Sequence, residues 1–196
     1  MSDIPKDVRV ICASKYFDAG TMRTLYDKGQ RDFGENRVQD MIVKMDTLSD
    51  LDITWHFIGH LQTNKVKAII NAISVLHSLD SLHLAKEIQK RAHKTIECFI
   101  QVNMTGEGTK SGIGPEELDD LIHEIRTYDK IRLVGLMTIG KADDPDATEK
   151  AFKGLAHLAR SHGLDRLSIG MSEDYAIALE AGATDIRLGR MFLKTL

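Results

Sequence analysis

A chain of 196 residues with a formal net charge of -3 is long enough to bury a sizeable core and most simply forms one domain over 1–196. Its charges are mixed along the sequence, with no basic stripe or tail for nucleic acid and no basic amphipathic helix for a membrane surface. The apolar runs are only strand-length, too short to span a bilayer, and the N-terminus lacks the apolar core of a secretion signal.

In chain order the apolar runs fall at 8–15, 32–36, 54–59, 74–79, 96–104, 132–139, 166–171 and 185–189. Most are continuous rather than alternating, as parallel strands covered on both faces should be. Cys12 and Cys98 lie inside two of them, which argues against a disulfide framework and for a reducing, cytoplasmic setting. Between the runs lie helical stripes: Val38, Met41, Ile42 and Met45; Val66, Ile69, Ile70 and Ile73; Leu118, Leu121, Ile122 and Ile125. Pro115 after Gly114 suits a first helical turn, and Gly29, Gly163 and Gly182 fall where helices should stop. Eight strand–helix units predict a single compact (β/α)8 TIM barrel, with a doubly wound sheet as the alternative. Such barrels usually need about 250 residues, so this one leaves no room for a second domain.

In this fold the functional centre lies at the C-terminal strand ends. Polar residues expected there are Lys15, Asn36, His60, Ser78, Asp80, Asn103, Thr138, Ser172 and Arg187. An amine closing the apolar run 8–15 should be partly desolvated and therefore more nucleophilic towards carbonyl compounds; a plain surface lysine is the other reading. Strand parity puts Ile11, Ala13 and Lys15 on one face, and Asp185, Arg187 and Gly189 on one face, so the amine and the guanidinium could share a cavity. A pairing of Arg187 with Glu35 is the competing expectation.

The turn Gly170-Met171-Ser172-Glu173-Asp174 offers backbone N–H groups and a hydroxyl to an anion, and Arg187-Leu188-Gly189-Arg190 offers close backbone approach and positive charge. These are the loops after the seventh and eighth strands, where this fold commonly binds phosphate; a simple N-cap role for Ser172 remains the alternative. His56 and His60 have zinc-like spacing, but on a strand they stand about 13 Å apart, and no metal is expected. The segment Gly106–Gly112 reads either as a lid or as an ordinary loop.

A lysine amine at one end of a site and a phosphate cradle at the other describe pyridoxal 5′-phosphate (PLP). The chain resembles the pyridoxal phosphate homeostasis family, relatives in fold of the alanine racemase N-terminal barrel. The resemblance is carried in order by Cys12-Ala13-Ser14-Lys15, Phe33-Gly34-Glu35-Asn36, Trp55-His56-Phe57-Ile58-Gly59-His60, His77-Ser78-Leu79-Asp80, Gln101-Val102-Asn103 and Lys110-Ser111-Gly112. Gly135-Leu136-Met137, Gly170-Met171-Ser172 and Arg187-Leu188-Gly189 complete it.

The resemblance implies a Schiff base on Lys15, Asn36 beside the ring 3-oxygen, and Arg187 facing the pyridine nitrogen. It also implies phosphate held around Met171, Ser172, Gly189 and Arg190. Arg190 departs from the family's usual Ser or Thr, and the family's helix before the first strand has no counterpart here. An arginine offers only donors, so the ring nitrogen stays unprotonated and withdraws electrons weakly. The expectation is a cellular carrier or buffer of PLP with no catalytic residues, acting as a monomer, with apo-PLP enzymes as acceptors. The competing classes are a narrow PLP-dependent racemase or lyase and a cofactor-free Schiff-base aldolase.

Overall fold

The computed structural model describes residues 3–108 and 111–194. Eight parallel strands close into a barrel in chain order: β1 (Arg9–Ala13), β2 (Asp32–Glu35), β3 (Thr54–Phe57), β4 (Val75–Leu79), β5 (Ile96–Gln101), β6 (Ile131–Met137), β7 (Arg166–Ser168) and β8 (Asp185–Leu188). Closure comes from β1 pairing with β8, with Ile11 opposite Arg187 and Cys12 opposite Leu188. Helices α1 (Ala19–Asp27), α2 (Val38–Thr47), α3 (Val66–Ile69), α4 (Leu82–Arg91), α5 (Leu118–Ile125), α6 (Pro145–Ser161) and α7 (Tyr175–Glu180) connect the strands.

The continuous apolar runs are explained by burial on both sides. Outward residues such as Phe33, Phe57, Leu76, Ile100 and Leu188 join the helices in one large core, whereas Val75, Phe99 and Met137 form a second cluster. The stripe Leu118, Leu121, Ile122 and Ile125 is wholly buried, as is Val66, Ile69, Ile70 and Ile73. On α2, however, Ile42 is exposed, and burial passes instead through Val38, Met41 and Leu48. Helix starts carry side-chain caps: Asp18 accepts from the Thr21 N–H, Ser81 from Leu84 and Asp144 from Ala147. Gly29, Gly163 and Gly182 follow helix ends with φ of +102°, +67° and +93°.

The compact chain reaches closure by shortening elements. Of the expected eight helices, α3 is four residues long, and the segment after β8 is a 3-10 turn over Arg190–Lys194. The run 8–15 also ends early. Ser14–Tyr16 leaves the strand as a 3-10 turn, because the Ser14 carbonyl accepts from Phe17 N–H at 2.9 Å and from Lys44 Nζ at 2.7 Å.

The N-terminal end of the barrel is closed by charge. Arg166 donates to both Asp185 carboxylate oxygens, at 2.6 and 3.2 Å, and to Glu97 at 2.8 Å. Cys12 and Cys98 are free and fully buried. Burial, reinforced by Glu35, pushes the Cys12 thiol up to about 12, and burial also raises Cys98, so both thiols are inert packing groups. Among the described residues no helix is long and apolar enough to cross a membrane.

Candidate cofactor site

A cavity of about 490 Å³ opens at the C-terminal ends of the strands. It brings together Lys15, Asn36, Met171, Ser172, Arg187, Gly189 and Arg190, all singled out from sequence. Their surroundings differ from expectation in several respects.

Lys15 is exposed rather than set in a buried strand. The 3-10 turn carries it out over the neighbouring ring, with Nζ 4.9 Å from the Tyr16 centroid. The turn itself is held from below. Glu35 is fully buried, accepts from Ser14 Oγ at 2.8 Å and forms an ion pair with Lys44, while Lys44 grips the Ser14 carbonyl. Glu35 is thus committed to Lys44 and Ser14, which overturns the alternative pairing with Arg187.

Arg187 instead lies in the barrel interior, 5% exposed. Its Nη1 donates to the Ser168 hydroxyl at 2.6 Å and the Ser168 carbonyl at 2.8 Å, and its Nη2 to the Thr138 carbonyl at 3.3 Å. Burial lowers its guanidinium to about 10, partly opposed by Asp174 and Asp185, so it remains charged at neutral pH.

The phosphate-cradle residues divide. Ser172 is not a helix cap: Asp174 occupies that position on α7, and the Ser172 Oγ accepts from the Gly189 N–H at 3.4 Å. The Met171 N–H is not free for an anion, because it donates to Asp174 Oδ1 at 2.6 Å; a shorter, charge-assisted bond wins locally. Gly189 fits closely. A Cβ there would stand 3.0 Å from the Tyr16 ring and 3.3 Å from the Ala13 carbonyl, so any side chain would make the turn bearing Lys15 give by a few tenths of an ångström. Arg190 is exposed and ion-paired with Glu173 across the mouth, rather than held in reserve for an anion.

The Asn36 backbone meets a much tighter approach: a Cβ on Gly59 would fall 2.2 Å from the Asn36 carbonyl oxygen, so that position needs glycine. Several other polar strand ends are satisfied locally. Ser78 donates to the Gly59 carbonyl at 2.6 Å, Thr138 to the Val102 carbonyl at 2.7 Å, and Asn103 to the Glu107 carbonyl at 2.9 Å. His56 is buried inside the barrel, while His60 sits at the rim 3.4 Å from Asp80. Of the segment 106–112, Ser111 lines the cavity and its carbonyl accepts from Gln101; Thr109 and Lys110 lie outside the described residues.

Sequence reasoning passed over Tyr16 and Ser168, and named Gln101 and His77 within the resemblance motifs without giving either a role. For His77 a signal existed: Val75, Leu76, His77, Ser78 and Leu79 form a wholly buried strand, and a buried imidazole requires partners.

The family model for the alanine racemase N-terminal domain matches residues 13–195. A pyridoxal phosphate homeostasis protein from Aquifex aeolicus is 40% identical over 193 residues, which is 93% of this chain and 85% of that protein. The structure of PipY from Synechococcus elongatus with PLP bound aligns with a TM-score of 0.88 at 33% identity, covering 96% of this chain and 93% of that one. Alanine racemase from Clostridium difficile aligns with a TM-score of 0.79 at 15% identity, covering 95% of this chain and 52% of the enzyme, and so shares the fold. The barrel is therefore of the alanine racemase N-terminal class. Within that class, the chain belongs to the pyridoxal phosphate homeostasis family.

Proposed function

We propose that this chain, as one domain over 1–196, holds pyridoxal 5′-phosphate through Lys15 and acts in PLP homeostasis as a carrier or buffer rather than as a catalyst. The observation that carries the reading is the placement of the Lys15 amine and the buried Arg187 guanidinium on one cavity of about 490 Å³. That volume lies in the range of small-ligand sites. The close fit of Gly189 against Tyr16 and Ala13 leaves backbone, rather than side chain, at the place a phosphate needs.

In this reading Lys15 Nζ bonds the aldehyde carbon and water leaves. Asn36 would attend the ring 3-oxygen, and the Ser172 hydroxyl, Arg190 and the Gly189 N–H, once it exchanges its long bond to Ser172 Oγ for the ligand, would hold the phosphate, with Met171 contributing its side chain to the wall. When bound, the cofactor supplies an electron sink for amine chemistry. Arg187 is a charged donor anchored from below, so it favours an unprotonated ring nitrogen and a weak sink; this supports a carrier over a racemase. The proposed setting is a cytoplasmic monomer that passes the cofactor to apo-PLP enzymes.

Violet absorbance after addition of PLP, fixed by borohydride and mapped to the peptide bearing Lys15, is the expected result. Lys15→Ala should reduce it to background. A wild-type protein that stays colourless, or substantial racemisation of any amino acid by the loaded protein, would remove the carrier reading.

A second expectation arises at the mouth. Glu173 competes with phosphate for Arg190. Glu173→Gln should therefore tighten PLP binding by up to about fivefold, the scale of an exposed ion pair, and titration calorimetry at low salt reads it. Unchanged or weaker binding would show that Arg190 takes no part in holding the phosphate.

A further inference from the structure

Beneath Arg187 an unbroken line of polar side chains crosses the barrel interior towards its opposite end. Arg187 Nη1 donates to Ser168 Oγ at 2.6 Å. Ser168 Oγ lies 2.7 Å from His77 Nδ1, His77 Nε2 lies 2.9 Å from His56 Nδ1, and His56 Nε2 lies 2.9 Å from Asp32 Oδ1. Ser168, His77 and His56 are fully buried, and Asp32 stands 3.8 Å from Arg9 at the charged end of the barrel. These residues sit on β7, β4, β3 and β2, so the line runs across the barrel and not along one strand.

The two ends dictate where every hydrogen sits. A guanidinium only donates, so Ser168 Oγ accepts from Arg187 and turns its single hydrogen to His77 Nδ1. His77 then carries its hydrogen on Nε2 and donates to His56 Nδ1. His56 in turn carries its hydrogen on Nε2 and donates to Asp32. Starting from Asp32 gives the same answer, because a carboxylate only accepts and requires a hydrogen on His56 Nε2. With both rings neutral this is the one arrangement in which every contact of the line pairs a donor with an acceptor. Such agreement from both ends is not required of side chains that merely fill space.

We propose that Ser168, His77, His56 and Asp32 are positioning residues for Arg187, forming a one-way chain of hydrogen bonds with both histidines neutral and carrying hydrogen on Nε2. The chain and the Ser168 carbonyl consume both Nη1 hydrogens, which leaves the Nε–H and one Nη2–H of Arg187 for a ligand. Bonds in series polarise one another, so a change at Ser168 or either histidine alters the donor that the cavity presents. The inference rests on the reading that Arg187 meets an aromatic ring nitrogen, and it assigns the selection of a pyridine over a carbocyclic ring to residues that never touch the ligand.

Nitrogen-15 labelling of the histidines in the ligand-free protein tests the chain without any cofactor. At neutral pH, both His56 and His77 should appear as neutral Nε2–H rings in long-range proton–nitrogen correlations. Ser168→Ala removes the donor to His77 Nδ1 while the Asp32 end stays intact, so His77 should keep its hydrogen on Nε2 but show a shifted Nδ1 resonance, which Ser168→Thr restores. A wild-type ring carrying hydrogen on Nδ1, or on both nitrogens, overturns the chain. A second arm uses pyridoxine 5′-phosphate, which has no aldehyde to bond Lys15, beside its analogue with C–H in place of the ring nitrogen. Wild-type protein should prefer the pyridine about tenfold, and Ser168→Ala should lose most of that preference. An equal preference in the two proteins overturns the positioning role. If neither compound binds wild-type protein, the cofactor reading and the ligand half of this inference fall together, while the tautomer result still decides the chain itself.

Discussion

Replacing Lys44 with methionine is expected to lower the unfolding free energy by about 3–5 kcal/mol, a large part of what a domain of this size possesses. Lys44 is the cation facing Glu35, whose side chain is fully buried and whose Oε2 has no hydrogen-bond partner among the described residues. Removing the ammonium strands a carboxylate with only Ser14 Oγ to satisfy it, and the desolvation cost of the charge then falls on the folded state alone. Glu35→Gln in the same background should recover most of the loss, because a neutral amide no longer needs the cation. Urea denaturation of the wild type, the two single variants and the double variant measures the coupling. A Lys44→Met protein within about 0.5 kcal/mol of wild type would show that the fold satisfies Glu35 without the Lys44 ammonium. The same variant has a consequence at the site. Lys44 holds the Ser14 carbonyl, so its loss loosens the turn Ser14–Tyr16 and should slow capture of the aldehyde by Lys15.

That coupling also marks how far the sequence was legible. Eight apolar runs, most of them continuous, separated by helical stripes favour a parallel barrel over a doubly wound sheet, since burial on both faces leaves such strands a compositional mark. Which residues gather at the C-terminal mouth follows from the same count, and Lys15, Asn36, Ser172, Arg187 and Gly189 do meet on one cavity. The environment of each was another matter. Lys15 reads as the last residue of a buried strand because Val8 to Ser14 is, Arg9 apart, apolar or small, with nothing local to end it. The strand ends because Glu35 and Lys44, 21 and 30 residues from Ser14, reach under it. Arg190 reads as free charge because its partner, Glu173, lies on another loop. Likewise, Met171 offers an N–H in the sequence that Asp174 takes in the fold. For Lys15 and Arg190 a contact between separate βα units decided the outcome, and such contacts leave no periodic trace; Met171 and Asp174 meet within one turn, where the sequence shows the two groups but not that they bond.

The buried histidines are where this non-local chemistry should be most visible in solution, as a loss of stability in mild acid. Burial lowers His56, against the pull of Asp32; burial, His56 and Arg187 hold His77 well below its ordinary value. Unfolded, both rings titrate near 6.5. Below that pH the unfolded chain binds protons that the folded barrel refuses, so stability is complete above about 6.5 and falls as the pH drops. A histidine that stays neutral in the fold should remove about 1 kcal/mol between pH 6.5 and 5.5, and about 1.4 kcal/mol per further unit. His162 works in the other window. Asp119 raises it, so its contribution is complete below about 6.5 and is lost as the pH rises through its folded value. Burial raises Asp80 and Asp174, so these carboxyls take up protons in the fold before they do unfolded and oppose the histidines as the pH falls through their folded values. Urea unfolding from pH 7.5 to 5.5 should accordingly give a slope that His77→Gln reduces by the share of one ring, with His56→Gln as the second case. Identical slopes in wild type and both variants would mean that the rings protonate inside the barrel, and Arg187 would then stand on a support that reverses its hydrogen bonds in acid.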